Sequence, residues 1–341
     1  MGTIKTMQLH RFVFAVLATA VLNAAQLQWA ELGDLQLDSG QLIQDCRVAY
    51  RTYGQLNADR SNAILWPTWF GGTTEDLERL IGPGRLLDPT GYFLITVDAL
   101  GNGVSSSPSN SRRQPGQAFP RFTIADMVRS QYELVTKKLG LKQLHAVVGI
   151  SMGGMQAFEW VVAYPEFVRK AVPIVGTPQQ TAYDLLLWRT ELEILEQTTR
   201  CATSPAEAMK LVALVHRLAL STPDHFVRSV AVEQFPEQLT MLQAQYSRRN
   251  PDDWAAQLRA MIQHDITRRF GGSWEKTAAA IRAQLLVVVA MQDHMVNPQP
   301  SIKLAELLKA RLLKLESDCG HLATNCEQSR IAQALAEFLR Q

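Results

Sequence analysis

The run Gly149-Ile150-Ser151-Met152-Gly153 is where this sequence can do chemistry. It stands between an apolar stretch, Leu144 to Gly149, and a stretch of helical character, Met152 to Tyr164. A Gly-x-Ser-x-Gly turn between strand and helix holds its serine on a sharp bend with the hydroxyl exposed. Small residues are needed on both flanks because the backbone crowds itself there. The first turn of the helix offers unpaired amides and the positive end of a dipole to developing negative charge. The chemistry implied is nucleophilic attack by Ser151 through a covalent intermediate.

A serine needs a base, and the base an orienting acid. Behind such a turn the chain order is serine, acid, histidine. An apolar stretch from Leu285 to Ala290 ends in Met291-Gln292-Asp293-His294, and Ser317-Asp318-Cys319-Gly320-His321 precedes the last helical stretch. Asp293 is therefore expected to orient His321, and His321 to take the Ser151 proton. The competitors are His294, Asp318 and Asp98. His294 follows the acid directly and reads as pocket wall or surface; Asp98 lines the site or caps a turn. His145, His216, His225 and His264 lie in strand or helix patterns and read as structural. The tetrahedral intermediate also needs an oxyanion hole. One donor is expected from the Met152 amide. The second is expected from the loop Pro67-Thr68-Trp69-Phe70-Gly71-Gly72, at Trp69 by position, with Thr68 the neighbouring choice.

These residues need a scaffold, and the hydrophobic pattern supplies one. Strands are expected at Leu42–Tyr53, Asn62–Trp66, Tyr92–Val97, Leu144–Gly149, Ala171–Val175, Leu285–Ala290 and Arg311–Leu315. Helices are expected at Thr123–Leu139, Met152–Tyr164, Ser301–Lys309 and Glu327–Leu339. Nearly all-apolar strands alternating with amphipathic helices predict an α/β class with a mostly parallel sheet covered on both faces. From Pro178 to about Lys276 no convincing strand occurs. This gives a core of residues 26–177 and 277–341, with a helical cap at 178–276 over the sheet edge where ligands of open α/β sheets bind.

Composition narrows the rest. Of 341 residues 47% are hydrophobic, enough for a large core, and a formal charge of +2 gives no reason to expect nucleic acid as a partner. Arg112-Arg113 and Arg248-Arg249 read as solvated surface. Lys5, His10 and Arg11 precede an apolar run from Phe12 to Leu22 followed by Asn23, Ala24 and Ala25, the parts of a secretory signal. Residues 1–25 are accordingly expected to be a leader, with the enzyme periplasmic or secreted, and cytoplasmic if they are not a signal. The run is too short to span a bilayer comfortably, and no later stretch qualifies. Four cysteines, Cys46, Cys201, Cys319 and Cys326, allow three pairings. Cys319 and Cys326 flank His321 and could bridge, but buried thiols are the preferred reading. No cysteine set has zinc-ligand spacing, and the mechanism needs neither metal nor redox cofactor.

Several segments together resemble the homoserine O-acetyltransferase family: Ala49-Tyr50-Arg51-Thr52-Tyr53-Gly54, Asn62-Ala63-Ile64-Leu65, Thr123 to Gln131, Gly149 to Trp160, Tyr164-Pro165-Glu166 and Ala171-Val172-Pro173-Ile174. The resemblance implies the α/β-hydrolase fold, a triad of Ser151, Asp293 and His321, and acyl-enzyme chemistry. Three departures bear on substrate. Leu322 stands where the transferases are expected to carry an aspartate for the substrate amine. Gln180-Thr181-Ala182-Tyr183-Asp184-Leu185-Leu186-Leu187-Trp188 replaces a segment rich in asparagine, arginine and glutamine. Pro67-Thr68-Trp69-Phe70 replaces a histidine-alanine-leucine-threonine sequence. A more apolar pocket follows, with Thr68, Phe70 and Leu322 as expected substrate contacts. The chain is similar to the short esterase relatives of the family, so a small acyl ester with water as acceptor is the favoured reading. Acetyl transfer from acetyl-CoA to an alcohol is the alternative, kept open by Arg189 and Arg217 as carboxylate holders, although exposed cap residues are the preferred reading of both. A homodimer through the cap is the family-level expectation for a partner.

Overall fold

The computed structural model describes residues 25–200 and 204–341. The leader expected at 1–25 therefore lies outside the described residues apart from Ala25, and so does Cys201.

Alternation within each apolar run sets the sheet. Along the strands Leu65, Ile95, Val97, Val147, Ala171, Val287 and Val289 face one side. Their neighbours Ile64, Trp66, Leu94, Ala146, Val148, Val172, Val288 and Ala290 face the other. Both sides are buried, which is why the runs read as continuously apolar. Among the described residues eight strands result: β1 (Gln28–Gln36), β2 (Leu42–Gly54), β3 (Ala63–Pro67), β4 (Phe93–Val97), β5 (Leu144–Ile150), β6 (Val168–Ile174), β7 (Gln284–Ala290) and β8 (Arg311–Leu315). Their order is β1-β2-β4-β3-β5-β6-β7-β8. The pairs β1/β2 and β2/β4 are antiparallel, and the others parallel.

β1 was not expected from the sequence. It is an edge strand in which only Ala30 and Leu35 are buried, and its polar residues Gln28, Glu31 and Asp34 hide the period. The helices are α1 (Thr74–Glu78), α2 (Ile124–Glu133), α3 (Met152–Ala163), α4 (Ala182–Arg200), α5 (Pro205–Leu220), α6 (Pro223–Ser229), α7 (Phe235–Ser247), α8 (Pro251–Ile262), α9 (Trp274–Ala280), α10 (Gln299–Leu308), α11 (Ala323–Cys326) and α12 (Gln328–Arg340). The helix expected over Thr123–Leu139 starts on a Thr123/Asp126 capping box but passes into a π turn at Leu134–Lys138.

Helices α4 to α8 form one excursion from the sheet. It opens and closes at a single seam: Gln179 and Asp265 pair antiparallel, the Ile266 amide donates to Pro178 O, and His264 Nε2 lies 3.0 Å from Thr177 O. Past the seam the chain already packs on the sheet side, with Arg269 pairing to Glu159 of α3 at 2.6 Å. The excursion rests on the loop after β3. The Phe70 ring centre lies 4.1 Å from that of Trp254 on α8, the rings tilted by 52°, and Trp188 and His216 box it in. Gln257 of α8 accepts the Gly71 amide and donates to Leu100 O. Arg249, expected on the solvated surface, is instead half-buried, donating to Gly71 O and lying against Tyr246 and Trp254. Among the described residues no helix is long and apolar enough to cross a membrane.

Candidate active site

Ser151 is held on a backbone few residues tolerate, with φ 57° and ψ −121°. Such a conformation costs on the order of 1–3 kcal/mol and persists only where surroundings enforce it. Here the enforcement is close packing of backbone. A Cβ on Gly149 would lie 2.0 Å from Gly153 O, and one on Gly153 2.7 Å from Pro67 O. A Cβ on Gly176 would lie 2.7 Å from the Gly154 carbonyl carbon, so α3 touches the end of β6 with nothing between. The Ser151 amide donates to Ile174 O at 2.8 Å. The glycines flanking the serine are thus contact surfaces.

The structure brings the three residues expected to act together into one chain of hydrogen bonds. His321 Nε2 is 2.9 Å from Ser151 Oγ, and its Nδ1 is 2.7 Å from Asp293 Oδ2. Asp293 Oδ1 accepts the Met295 and Val296 amides at 2.8 and 2.9 Å. With one oxygen held by two amides, the carboxylate cannot rotate. A carboxylate only accepts, so Nδ1 carries the proton and Nε2 presents its lone pair to the serine hydroxyl. All three side chains are buried.

The competitors are elsewhere. Asp318 pairs with Arg228 and lies 3.8 Å from His225 Nδ1. Asp98 accepts the Thr74 amide and hydroxyl and the Asn102 side-chain amide, capping a turn. Burial pushes its carboxyl above the ordinary range, against those hydrogen bonds. His294 is half-buried.

In the loop after β3, hydrogen bonding separates Thr68 from Trp69. The Thr68 amide donates to Val97 O, and the Thr68 hydroxyl accepts from the Ala99 amide. Its side chain is wholly buried, so it neither donates to an oxyanion nor meets substrate; that expectation is corrected. The Gly71 and Gly72 amides are also bonded. Those of Trp69 and Phe70 are free among the described residues. Phe70, expected to contact substrate, instead fills the aromatic box of Trp188, His216 and Trp254.

Two residues that sequence reasoning did not single out support this loop. Gln156 of α3 donates to Thr68 O at 3.1 Å and takes a hydrogen bond from Gln131, which in turn accepts the Trp160 indole N–H. Both glutamines are buried. Glutamine on a helix face otherwise apolar was the available signal.

The His321 loop is clamped differently. Cys319 and Cys326 form a disulfide around it, correcting the preference for free thiols. Cys46 is a buried thiol, its pKa raised to about 12 by burial. The α5–α6 junction closes the other side. Thr222 Oγ1 donates to Asp318 O at 2.5 Å, and Gly320 packs so tightly that a Cβ would lie 3.0 Å from Ser221 Cα. His225 Nδ1 is 3.4 Å from Cys319 Sγ, so this histidine belongs to the loop's support. His225, Cys319 and Cys326 come within 4.8 Å of one another, a grouping their sequence spacing did not suggest. Sulfurs joined to each other are not thiolate ligands. Leu322 lines a groove with α5, α6 and α7. Arg189 is exposed, whereas Arg217, read as exposed, is half-buried against that groove.

A serine raised between a parallel strand and a helix, beside a histidine and an acid supplied from later loops, defines a class. The chain belongs to the α/β hydrolase fold family, whose model matches residues 66–324. It is 32% identical over 317 residues to the ethyl acetate hydrolase of Pseudomonas veronii, covering 88% of this chain and 90% of that one. An acetylester hydrolase from Corynebacterium glutamicum superposes with a TM-score of 0.86 at 28% identity, over 93% of this chain and 96% of that one. The homoserine O-acetyltransferase of Methanohalophilus mahii is 28% identical over 341 residues, 89% of this chain and 70% of that one. The protein is an enzyme, a serine ester hydrolase, with acyltransferases as its second group of relatives.

Proposed function

We propose that the protein hydrolyses small carboxylic esters, acetyl esters foremost, through an acyl-enzyme on Ser151. The observation that carries this reading is the continuous Ser151–His321–Asp293 hydrogen-bond chain in a buried site. His321 takes the Ser151 proton as Oγ attacks the ester carbonyl, and Asp293 holds the imidazolium that forms. The Met152 and Trp69 amides receive the oxyanion: the first opens α3, and the second follows Thr68, whose own amide is committed to Val97 O. His321 then returns its proton to the leaving alcohol, and a water activated by the same imidazole releases the acid.

Relatives named for ethyl acetate and acetyl esters support the acyl group. Water is favoured over an amino-acid alcohol as acceptor because Leu322, beside His321, offers no charge to an amine. We read helices α4 to α8, within residues 178–276, as a cap that shapes the pocket and excludes bulk solvent, and as the face through which two copies would pair. Export is supported by the basic and apolar leader together with the Cys319–Cys326 disulfide, a bond of oxidising compartments.

The test follows nitrophenol and acetyl products from p-nitrophenyl acetate, with and without homoserine. Equal nitrophenol release with acetate as the sole acetyl product is expected. Acceleration by homoserine with capture of the acetyl group would make the enzyme a transferase. Ser151→Ala should reduce kcat by about 10⁴-fold or more with the fold intact; substantial residual turnover would remove Ser151 as the nucleophile.

A further inference from the structure

An oxyanion donor made of backbone points where its peptide plane points. The Trp69 N–H shares one planar peptide with Thr68 O, and across a trans peptide the two lie on opposite edges. Whatever holds Thr68 O therefore aims the Trp69 N–H. That oxygen accepts from Gln156 Nε2 at 3.1 Å. The same nitrogen is 3.2 Å from Met152 O, so it ties the loop after β3 to the first turn of α3, whose leading amide is the other donor. One side chain thus reaches both halves of the oxyanion hole.

The direction of these bonds is settled at the far end of the network. The Trp160 indole N–H can only donate, and it meets Gln131 Oε1 at 2.8 Å. Gln131 must then turn its NH2 toward Gln156, which accepts on Oε1 at 2.6 Å. What Gln156 has left is its own NH2, with one proton for each of the two carbonyls. Trp160, Gln131 and Gln156 are at most 1% exposed, so bulk water offers none of them an alternative. Successive hydrogen bonds in such a chain polarise one another, and donation to Thr68 O makes the N–H of the same peptide a stronger donor. Two buried amides carry a desolvation cost that apolar side chains of equal size would not, so filling space does not account for them.

We propose that Gln156 is a positioning residue for the oxyanion hole. It aims the Trp69 N–H through Thr68 O and locks that loop to the turn bearing the Met152 N–H, with its own orientation imposed by Trp160 and Gln131. The proposal rests on the ester-hydrolase reading with those two amides as donors.

The test sets Gln156→Met against Gln131→Met, with p-nitrophenyl acetate as substrate and urea unfolding as the measure of stability. Both variants remove a buried amide from the same chain, but only the first releases Thr68 O. Gln156→Met should lower kcat and kcat/KM together by about 10- to 100-fold, part of what a whole donor is worth. Gln131→Met should cost only a few-fold at a similar loss of stability. Gln156→Asn keeps the amide but draws it one carbon back from Thr68 O; it should lose kcat as Gln156→Met does, and it serves if that variant does not fold.

The second readout is inhibition by 1,1,1-trifluoropropan-2-one. Ser151 Oγ adds to its carbonyl carbon, the carbonyl electron pair moves onto oxygen, and the hydroxyl proton passes to His321. The Ki of this tetrahedral adduct should rise in Gln156→Met by about the factor that kcat falls. A kcat within twofold of wild type in the folded 156 variants overturns the proposal, as does a raised KM with kcat unchanged. So do equal kcat losses at 131 and 156 that follow stability, or a fallen kcat with an unchanged Ki. No nitrophenol release by the wild-type enzyme would overturn the hydrolase reading itself, a distinct result.

Discussion

Ser151 and His321 stand 2.9 Å apart, yet they are held there by opposite means. The serine is fixed by main chain: glycines pressed against carbonyls, and an amide bonded to the neighbouring strand. The histidine is fixed by side chains from three separate places, the Asp293 loop, the Cys319–Cys326 bridge and the α5–α6 junction. A site made this way has one rigid half and one assembled half. The rigid half fails all at once, because no atom beside it can yield. The assembled half fails by degrees, because each support carries a part.

The sharpest break is on the rigid side. Gly149→Ala places a Cβ 2.0 Å from Gly153 O, so the elbow must shift and carry the Met152 amide with it. Loss of about 10²–10³ in kcat is expected, the scale of a misplaced oxyanion donor, and steady-state kinetics on a folded variant would read it. Near-wild-type kcat would show that the elbow has slack.

The seam beneath the α4–α8 excursion supplies the next effect. His264 is buried, bonded to Thr177 O, and its pKa is lowered to about 4 by burial. The unfolded chain protonates near 6.5, so it binds the proton first as pH falls. This contribution is whole above pH 6.5 and is lost progressively toward pH 4, by up to about 3 kcal/mol. Urea unfolding from pH 7.5 to 4.5 should show a dependence that His264→Gln flattens.

On the assembled side, removing the disulfide opens a short loop of sequence separation 7. Chain entropy predicts a cost of about 2 kcal/mol. A Cys319→Ser/Cys326→Ser double variant should unfold at lower denaturant, with kcat reduced more than KM is raised. The smallest effect is expected at Thr222→Val, which removes two hydrogen bonds of one hydroxyl, to Asp318 O and from the His225 amide that it caps at the start of α6. A cost of about 1–2 kcal/mol and a kcat reduced a few-fold would fit one support among several. A loss as large as that of Gly149→Ala would erase the contrast between the two halves.

The sequence alone determined the elbow, the order of serine, acid and histidine, and seven of the eight strands. These are local: a strand buried on both faces must be apolar, and a strained turn must be flanked by glycine, whatever surrounds them. β1 escaped because an edge strand need bury only one residue in several. Position alone put Trp69 ahead of Thr68, but only the fold shows that the Thr68 amide is bonded, because its partner Val97 O lies on another strand. The disulfide, the Gln131–Gln156 support and the clamp of Thr222 on the His321 loop join residues distant in the chain or alternative in pairing. Arg217 read as surface because half-burial is a property of neighbours, and only the folded chain places those neighbours around it.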